Sequence, residues 1–288
     1  MKGILLAGGT GSRLYPMTKT VSKQLLPVYD KPMVYYPLST LLSLGISNIL
    51  IITTPRDKEA FISLLGDGSQ FGCSLSYAVQ PKPNGLVEAF LIGADFIGND
   101  SVALILGDNL FYGSAFQKQS PSKTGFSGGL IFGTHVQNPE RYGIIEIDAQ
   151  GNVKSIEEKP ENPKSNLAIP GLYFFDHTVV EKAAQVKPSA RGELEITDIH
   201  NAYWKSGHLR VAVLEQGTAW LDTGTVQSLS KAHAFVEAIQ SRQGVLVGSP
   251  ELEAYQQGFI NLSQLKTLAK LYKDAEYGNY LKQWINEQ

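Results

Sequence analysis

Apolar positions fall into short blocks over the first hundred residues, and their spacing changes from block to block. Gly3–Ala7 and Ile49–Thr53 are continuous apolar runs, the pattern of strands buried on both faces. Leu75–Gln80 and Val102–Leu106 predict two more strands. Between them the spacing turns helical. Pro37–Leu44 reads as a helix stopped by Gly45. Asp57–Leu65 places Phe61, Leu64 and Leu65 on one face. Leu86–Ala94 places Val87, Phe90, Leu91 and Ala94 at i, i+3, i+4 and i+7. Strands alternating with helices predict an α/β chain with a Rossmann-like, mostly parallel central sheet and helices on both faces.

The middle of the chain departs from this rhythm. Gly128–His135, Tyr142–Ile147, Val153–Glu158 and Gly171–Phe175 are all strand-like, and Asp148–Asn152 is a hairpin-type turn. Antiparallel additions to the sheet follow. A helix over Glu193–Tyr203, with Leu194, Ile199 and Ala202 inward, precedes a strand at Leu209–Leu214. Val226–Arg242 reads as a long helix with Leu229, Val236 and Ile239 on its apolar side. Beyond Gly248-Ser249-Pro250 come further helices, ending in Tyr277–Ile285. The predicted division is an α/β domain over 1–240 and a C-terminal helical extension over 241–288, packed on the core. Gln119–Gly125 reads as an exposed polar loop.

Bulk properties narrow the function. The chain has 288 residues, 43% of them hydrophobic, enough for one large globular core. Its net charge of −2 suggests no broad basic face, so no nucleic acid polymer is expected as partner. Cys73 is the single cysteine, which rules out a disulfide within the chain. The five histidines, 135, 177, 200, 208 and 233, show no zinc-ligand spacing and read as surface or packing residues. The apolar run after Lys2 is too short for a secretory leader, and no segment reaches the length of a membrane span. The expected setting is cytoplasmic, with no membrane partner.

Chemistry gathers where the first strand ends. Leu5-Leu6-Ala7 runs into Gly8-Gly9-Thr10-Gly11-Ser12-Arg13-Leu14, and Lys23-Gln24-Leu25-Leu26-Pro27 follows. Glycines let the backbone turn several N–H groups toward one point, and Arg13 and Lys23 add the charge a polyphosphate needs. A dinucleotide fingerprint would need a small residue where Leu14 stands, and no P-loop run occurs. Asp108 follows a buried strand and falls on the same rim, where a carboxylate facing phosphate calls for a cation such as Mg²⁺. Asp222, in Trp220-Leu221-Asp222-Thr223-Gly224, is the natural second ligand. Both aspartates, taken singly, also fit a helix N-cap. Glu158-Lys159-Pro160 ends a strand and suits a phosphorylated sugar, although a solvated turn fits as well. Gln80 offers the donor and acceptor of a base-reading amide.

Several motifs in order resemble the glucose-1-phosphate thymidylyltransferases of the sugar nucleotidyltransferase family. They are the glycine loop, Lys23–Pro27, Gly107-Asp108-Asn109, Pro139–Gly143, Glu157–Pro160, Arg191–Asp198 and Trp220–Gly224. The resemblance implies an Mg²⁺-dependent homotetramer that makes dTDP-glucose and pyrophosphate from dTTP and glucose 1-phosphate. By it, Gly8, Gly11 and Arg13 would hold the triphosphate and Lys23 would face the reacting phosphorus. Arg13, Lys23 and Asp108 form the implied catalytic set. Gln80 and Gly85 would read the thymine, and Asp108 and Asp222 would bind the metal. Tyr142, Gly143, Glu158, Lys159 and Ile169 would contact the sugar phosphate, with Arg191 also in reach of it.

The pattern departs in three places. Gln216 and Gln256 stand where the family tends to arginine, in regions that resemble its secondary sugar-nucleotide site, and weakened or altered feedback inhibition by dTDP-sugars is the expectation. Ile169-Pro170-Gly171 stands where Val-Thr-Gly is usual. Rival readings are a nucleotidyltransferase of other base or sugar preference, and a non-catalytic sugar-nucleotide sensor. The retained Arg13, Lys23, Asp108 and Asp222 speak against the sensor.

Overall fold

The computed structural model describes residues 1–121 and 125–287. Four strands form the parallel centre of a ten-stranded sheet. They are Val102–Leu106, Lys2–Ala7, Asn48–Thr53 and Ser74–Val79, in that spatial order. Leu5 pairs Ile51 on one side and Ile105 on the other. Leu172–Phe175 continues the sheet antiparallel to Val102–Leu106. Beyond it lie Gly129–His135, Leu167–Ala168, Gly143–Ile147 and Val153–Glu158. Leu209–Val213 joins parallel to Gly129–His135. The parallel core with antiparallel additions is the architecture the spacing predicts.

Both faces of the centre are covered, which is why its strands read as unbroken apolar runs. Alternation divides the core. Ile4 and Leu6 face a cluster with Phe90, Phe175 and Tyr203. Leu5 and Ala7 face the opposite cluster with Leu38, Leu41 and Phe61. Each large apolar side chain buried this way contributes about 1.5–3 kcal/mol. The C-terminal helices Pro250–Gln256, Leu262–Leu271 and Glu276–Asn286 share that second cluster through Leu252, Leu265 and Leu281.

Local chemistry shifts several expected boundaries. The helix expected over Leu86–Ala94 begins at Glu88 and is interrupted at Gly93, so Ala94–Ile97 forms a separate turn. The helix expected from Glu193 starts at Ile196, because Leu194 is bridged to Gly85 and Glu195 is extended. Its buried face is Ile196, Thr197, Ile199, His200 and Tyr203; Leu194 and Ala202 are only half-buried. The long helix Val226–Gln243 keeps Val236 buried, with Leu229 and Ile239 packed beside it. The expected Gln119–Gly125 loop lies partly outside the described residues. Gln119 itself closes a short helix, Ala115–Gln119.

Candidate active site

The first parallel strand and its neighbour deliver the glycine loop and Asp108 side by side. Leu6 pairs Leu106, and the Gly107 N–H donates to the Leu6 carbonyl at 2.9 Å. The chain then turns through Gly9 and Gly11, the latter at φ 64°, a left-handed conformation that costs glycine nothing. Thr18 Oγ1 locks the turn by donating to the Gly11 carbonyl at 2.7 Å. Ser12–Leu14 forms a single 3₁₀ turn that buries Leu14 and leaves Arg13 exposed.

Asp108 does not cap a helix. It turns directly into a second strand, Asn109–Tyr112, which pairs antiparallel with Ala219–Asp222. That small ladder sets Asp222 opposite Asn109. Thr223, fully buried, fastens the corner by donating through both N–H and Oγ1 to the Asp108 carbonyl, at 3.1 and 2.8 Å. Nor does Asp222 cap the long helix: Thr225 does so, in a capping box with Ser228. Neither aspartate is taken up as a helix cap, and both line the cleft.

Their surroundings differ. Asp108 Oδ2 pairs with Lys23 Nζ, and Oδ1 accepts from Asn109 Nδ2 at 2.9 Å. Burial pushes the Asp108 carboxyl up, but the Lys23 ammonium and these hydrogen bonds outweigh it and hold it below the usual carboxylate range. Asp222 Oδ1 accepts from the Gly224 N–H at 2.9 Å, and Oδ2 faces Arg141 at 3.2 Å and the Tyr142 hydroxyl at 3.4 Å. Among the described residues no group of three or more His, Cys, Asp or Glu side chains could hold a metal ion by itself. Two carboxylates on one cleft, beside a loop built for phosphate, nevertheless fit Mg²⁺, which completes its shell with phosphate oxygens and water.

A seam joins this end to the rest. Gly85 bridges Leu194, with φ 121°, and a Cβ there would lie 2.4 Å from the Leu194 carbonyl oxygen. Gln80, buried, donates to the Gly85 carbonyl at 3.1 Å and to Glu88 Oε2 at 2.8 Å. Its donors are thus committed, and its carbonyl oxygen faces Gly8.

The other end is a charged network. Glu158 closes its strand, and Lys159 follows at φ 42°. Lys159 and Arg191 approach the Glu158 carboxylate at 3.5 and 3.6 Å, and Arg191 also pairs with Glu195 at 2.8 Å. Burial raises the Glu158 carboxyl above its usual range, with Lys159 pulling against it and Glu195 adding to it. The Ile169 N–H donates to the Gly143 carbonyl at 2.8 Å, which sets Ile169 as an apolar wall. The Tyr142 ring meets Trp220 edge-on at 5.0 Å.

All the residues expected to form the active site line one cleft of about 720 Å³: Gly8, Gly11, Arg13, Lys23, Gln80, Gly85, Asp108, Tyr142, Gly143, Glu158, Lys159, Ile169, Arg191 and Asp222. Others on its wall were not assigned a role. Arg141 and Trp220 sit inside the quoted motifs, and Trp220 Nε1 donates to Asn109 Oδ1 at 2.6 Å. His200 lines the same cleft, four residues after Ile196 on the buried face of its helix, a position the expected inward set of Leu194, Ile199 and Ala202 did not include.

Comparison with known proteins shows the family and the fold. The family described as nucleotidyl transferase matches residues 2–239. A glucose-1-phosphate thymidylyltransferase of Mycolicibacterium smegmatis is 57% identical over 288 residues, covering all of both chains. One from Mycobacterium tuberculosis is 53% identical over 281 residues, 98% of each chain. Among solved structures, a Bacillus anthracis protein described as a candidate glucose-1-phosphate thymidylyltransferase, in complex with sucrose, superposes with a TM-score of 0.76. It is 43% identical, over 82% of this chain and 94% of that one. A UDP-glucose pyrophosphorylase holding UDP-glucose gives 0.72 at 25% identity, over 84% of this chain and 99% of that one.

Proposed function

This chain belongs to the nucleotidyl transferase family, and we infer that it is an enzyme with glucose-1-phosphate thymidylyltransferase activity. The reaction joins dTTP and glucose 1-phosphate into dTDP-glucose and pyrophosphate. One observation carries the reading: the pairing of Asp222 with Asn109, next to Asp108, brings two aspartates far apart in sequence onto the cleft that holds the glycine loop and Lys23.

The backbone at Gly8 and Gly11 and the Arg13 guanidinium take the triphosphate. Gln80 and Gly85 face the base, with the Gln80 carbonyl as acceptor. Tyr142, Gly143, Glu158, Lys159, Ile169 and Arg191 take the sugar phosphate, the two cations on its phosphate and Glu158 on its hydroxyls. An oxygen of the sugar phosphate attacks the α-phosphorus in line. The bond from that phosphorus to the bridging oxygen breaks, and pyrophosphate leaves with the electron pair. No side chain becomes modified, since holding two anions in line supplies much of the barrier reduction. Lys23 and Arg13 offset charge that moves onto the phosphate oxygens. Mg²⁺, held by Asp108 and Asp222, would supply further neutralisation of phosphate charge.

Incubation with Mg²⁺, a panel of nucleoside triphosphates and a panel of sugar 1-phosphates tests the assignment, with pyrophosphate release as readout. The expected best pair is dTTP with glucose 1-phosphate. A clear preference for UTP would move the chain toward the pyrophosphorylase it also resembles in fold. A homotetramer in the cytoplasm is proposed with this activity, and light scattering of the purified chain checks the assembly. Among the described residues no helix is long and apolar enough to cross a membrane. Gln216 and Gln256 are both exposed. Inhibition by dTDP-rhamnose is expected to be weak, and strong inhibition separable from competition with substrate would refute that.

A further inference from the structure

His200 sits on the Ile196–Lys205 helix, one turn beyond Thr197, and is fully buried. Its ring packs against Tyr173 at 5.1 Å and is stacked on Phe175 at 6.0 Å. Neither ring nitrogen has a hydrogen-bond partner. Among the described residues only four buried side-chain nitrogen or oxygen atoms lack one, and two of the four belong to this ring. An apolar ring would fill the same space without leaving polar atoms unpaired, so packing does not explain a histidine here. The same side chain belongs to the cleft wall, as do Thr197, Tyr173 and Glu158, and lies beneath its open surface. Thr197 in turn sets the wall behind Gly143, where a Cβ would lie 3.2 Å from its methyl group.

Resting on the reading of the cleft given above, we propose that His200 is a specificity-determining residue for the sugar. Its ring meets a hydroxyl group at the floor of the sugar end, either a ring hydroxyl of the hexose phosphate or a water fixed beneath it. Burial pushes the imidazole down to about 3, so it stays neutral in the working range. A neutral imidazole carries one N–H donor and one acceptor lone pair, the complement of a hydroxyl, which also donates and accepts. A charged side chain in this aromatic floor would face a desolvation penalty that the imidazole avoids.

The test uses the full-length enzyme and its His200→Phe and His200→Asn variants. Initial rates are measured with glucose 1-phosphate and its 2-, 3-, 4- and 6-deoxy analogues, together with the KM for dTTP and thermal melts. His200→Phe is expected to raise the KM for glucose 1-phosphate by about tenfold, the worth of one hydrogen bond. The dTTP KM and kcat should stay near wild type, and the melting temperature should hold or rise as two unpaired polar atoms leave the core. His200→Asn, which keeps a donor and an acceptor, should recover part of the loss. If the contact is direct, one deoxy analogue loses nothing further in His200→Phe; if a water intervenes, all analogues lose alike. An unchanged KM for glucose 1-phosphate in His200→Phe overturns the inference, as does a parallel rise in both KM values with a fall in melting temperature. A wild-type enzyme that turns over no sugar 1-phosphate overturns the reading of the cleft itself, a result visible before any variant is compared.

Discussion

At the nucleotide end of the cleft, the glycine loop and the Asp108 corner leave two strands that pair residue for residue, Leu6 with Leu106. Their positions follow from backbone hydrogen bonds of the parallel centre, and the loop presents mainly backbone groups. At the sugar end, Glu158, Arg191, Thr197 and His200 come from a sheet-edge strand, a turn and a helix. Their positions follow from side-chain pairs such as Arg191 with Glu195. One end is held by the ladder and is rigid by construction; the other is held by charges and a helix face, and is open to retuning by single substitutions. Catalytic rate should therefore depend on the first end and sugar choice on the second.

The largest expected effect tests the first half of that statement. Lys23→Ala should lower kcat on the order of 10²–10³-fold, the cost of losing one preorganised donor. The KM for glucose 1-phosphate should barely move. Steady-state kinetics with unchanged kcat would remove Lys23 from the chemistry and leave it as the neutralising partner of Asp108. Next in size, Asp222→Asn should raise the Mg²⁺ needed for half-maximal rate by at least about 10-fold, the lower end of what losing a mere supporting partner of a metal ligand costs. An Mg²⁺ titration that superposes on wild type would reduce Asp222 to an anchor for Arg141 and the Gly224 turn.

The same contrast explains what could be read from the chain. The nucleotide end is written contiguously: an apolar strand, three glycines and an arginine within a dozen residues. The strands that carry it are legible because burial on both faces makes their runs unbroken. Asp222 could be named as a second ligand from its motif, but nothing in spacing reveals the Asn109–Asp222 pairing that brings it beside Asp108. The sugar end is scattered over sixty positions, and its pairs depend on where the 193–195 segment docks. That docking is set by the Gly85 bridge to Leu194, a contact across more than a hundred residues. The expected helix start at Glu193 failed for this reason: periodicity does not register a tertiary contact that holds the backbone extended. His200 read only as a surface or packing residue, and neither its place in the cleft wall nor its missing partners are visible before three dimensions.

The seam itself offers the third test. Gly85→Ala puts a methyl group into the Leu194 backbone at a φ of 121°. Backbone strain of this kind costs about 1–3 kcal/mol. At about 2–4 °C per kcal/mol for a chain of this size, the melting temperature should drop by several degrees. Both KM values should rise, because the bridge ties Gln80 on one side to the segment bearing Arg191 and Glu195 on the other. A variant with wild-type melting and only one altered KM would show that the two ends are not mechanically joined there.

The smallest effect separates the ends by their response to acid. Asp108 is held below the ordinary carboxylate range and Glu158 above it. As pH falls, Glu158 therefore takes up its proton first. A protonated Glu158 no longer offers a carboxylate to sugar hydroxyls and leaves Lys159 and Arg191 without its charge. The KM for glucose 1-phosphate should then rise as pH drops through the Glu158 value, by no more than about tenfold for each unit below it. The dTTP KM should hold until lower pH, where Asp108 begins to lose its charge. The phosphate of the substrate also titrates, so the comparison runs against Glu158→Gln, in which that contribution is common to both enzymes. The difference between wild type and Glu158→Gln should shrink toward acid, since protonation makes the wild-type carboxyl resemble the amide. Two profiles that stay parallel down to the pH where dTTP binding fails would place Glu158 outside sugar recognition and leave Lys159 and Arg191 to hold the phosphate without it.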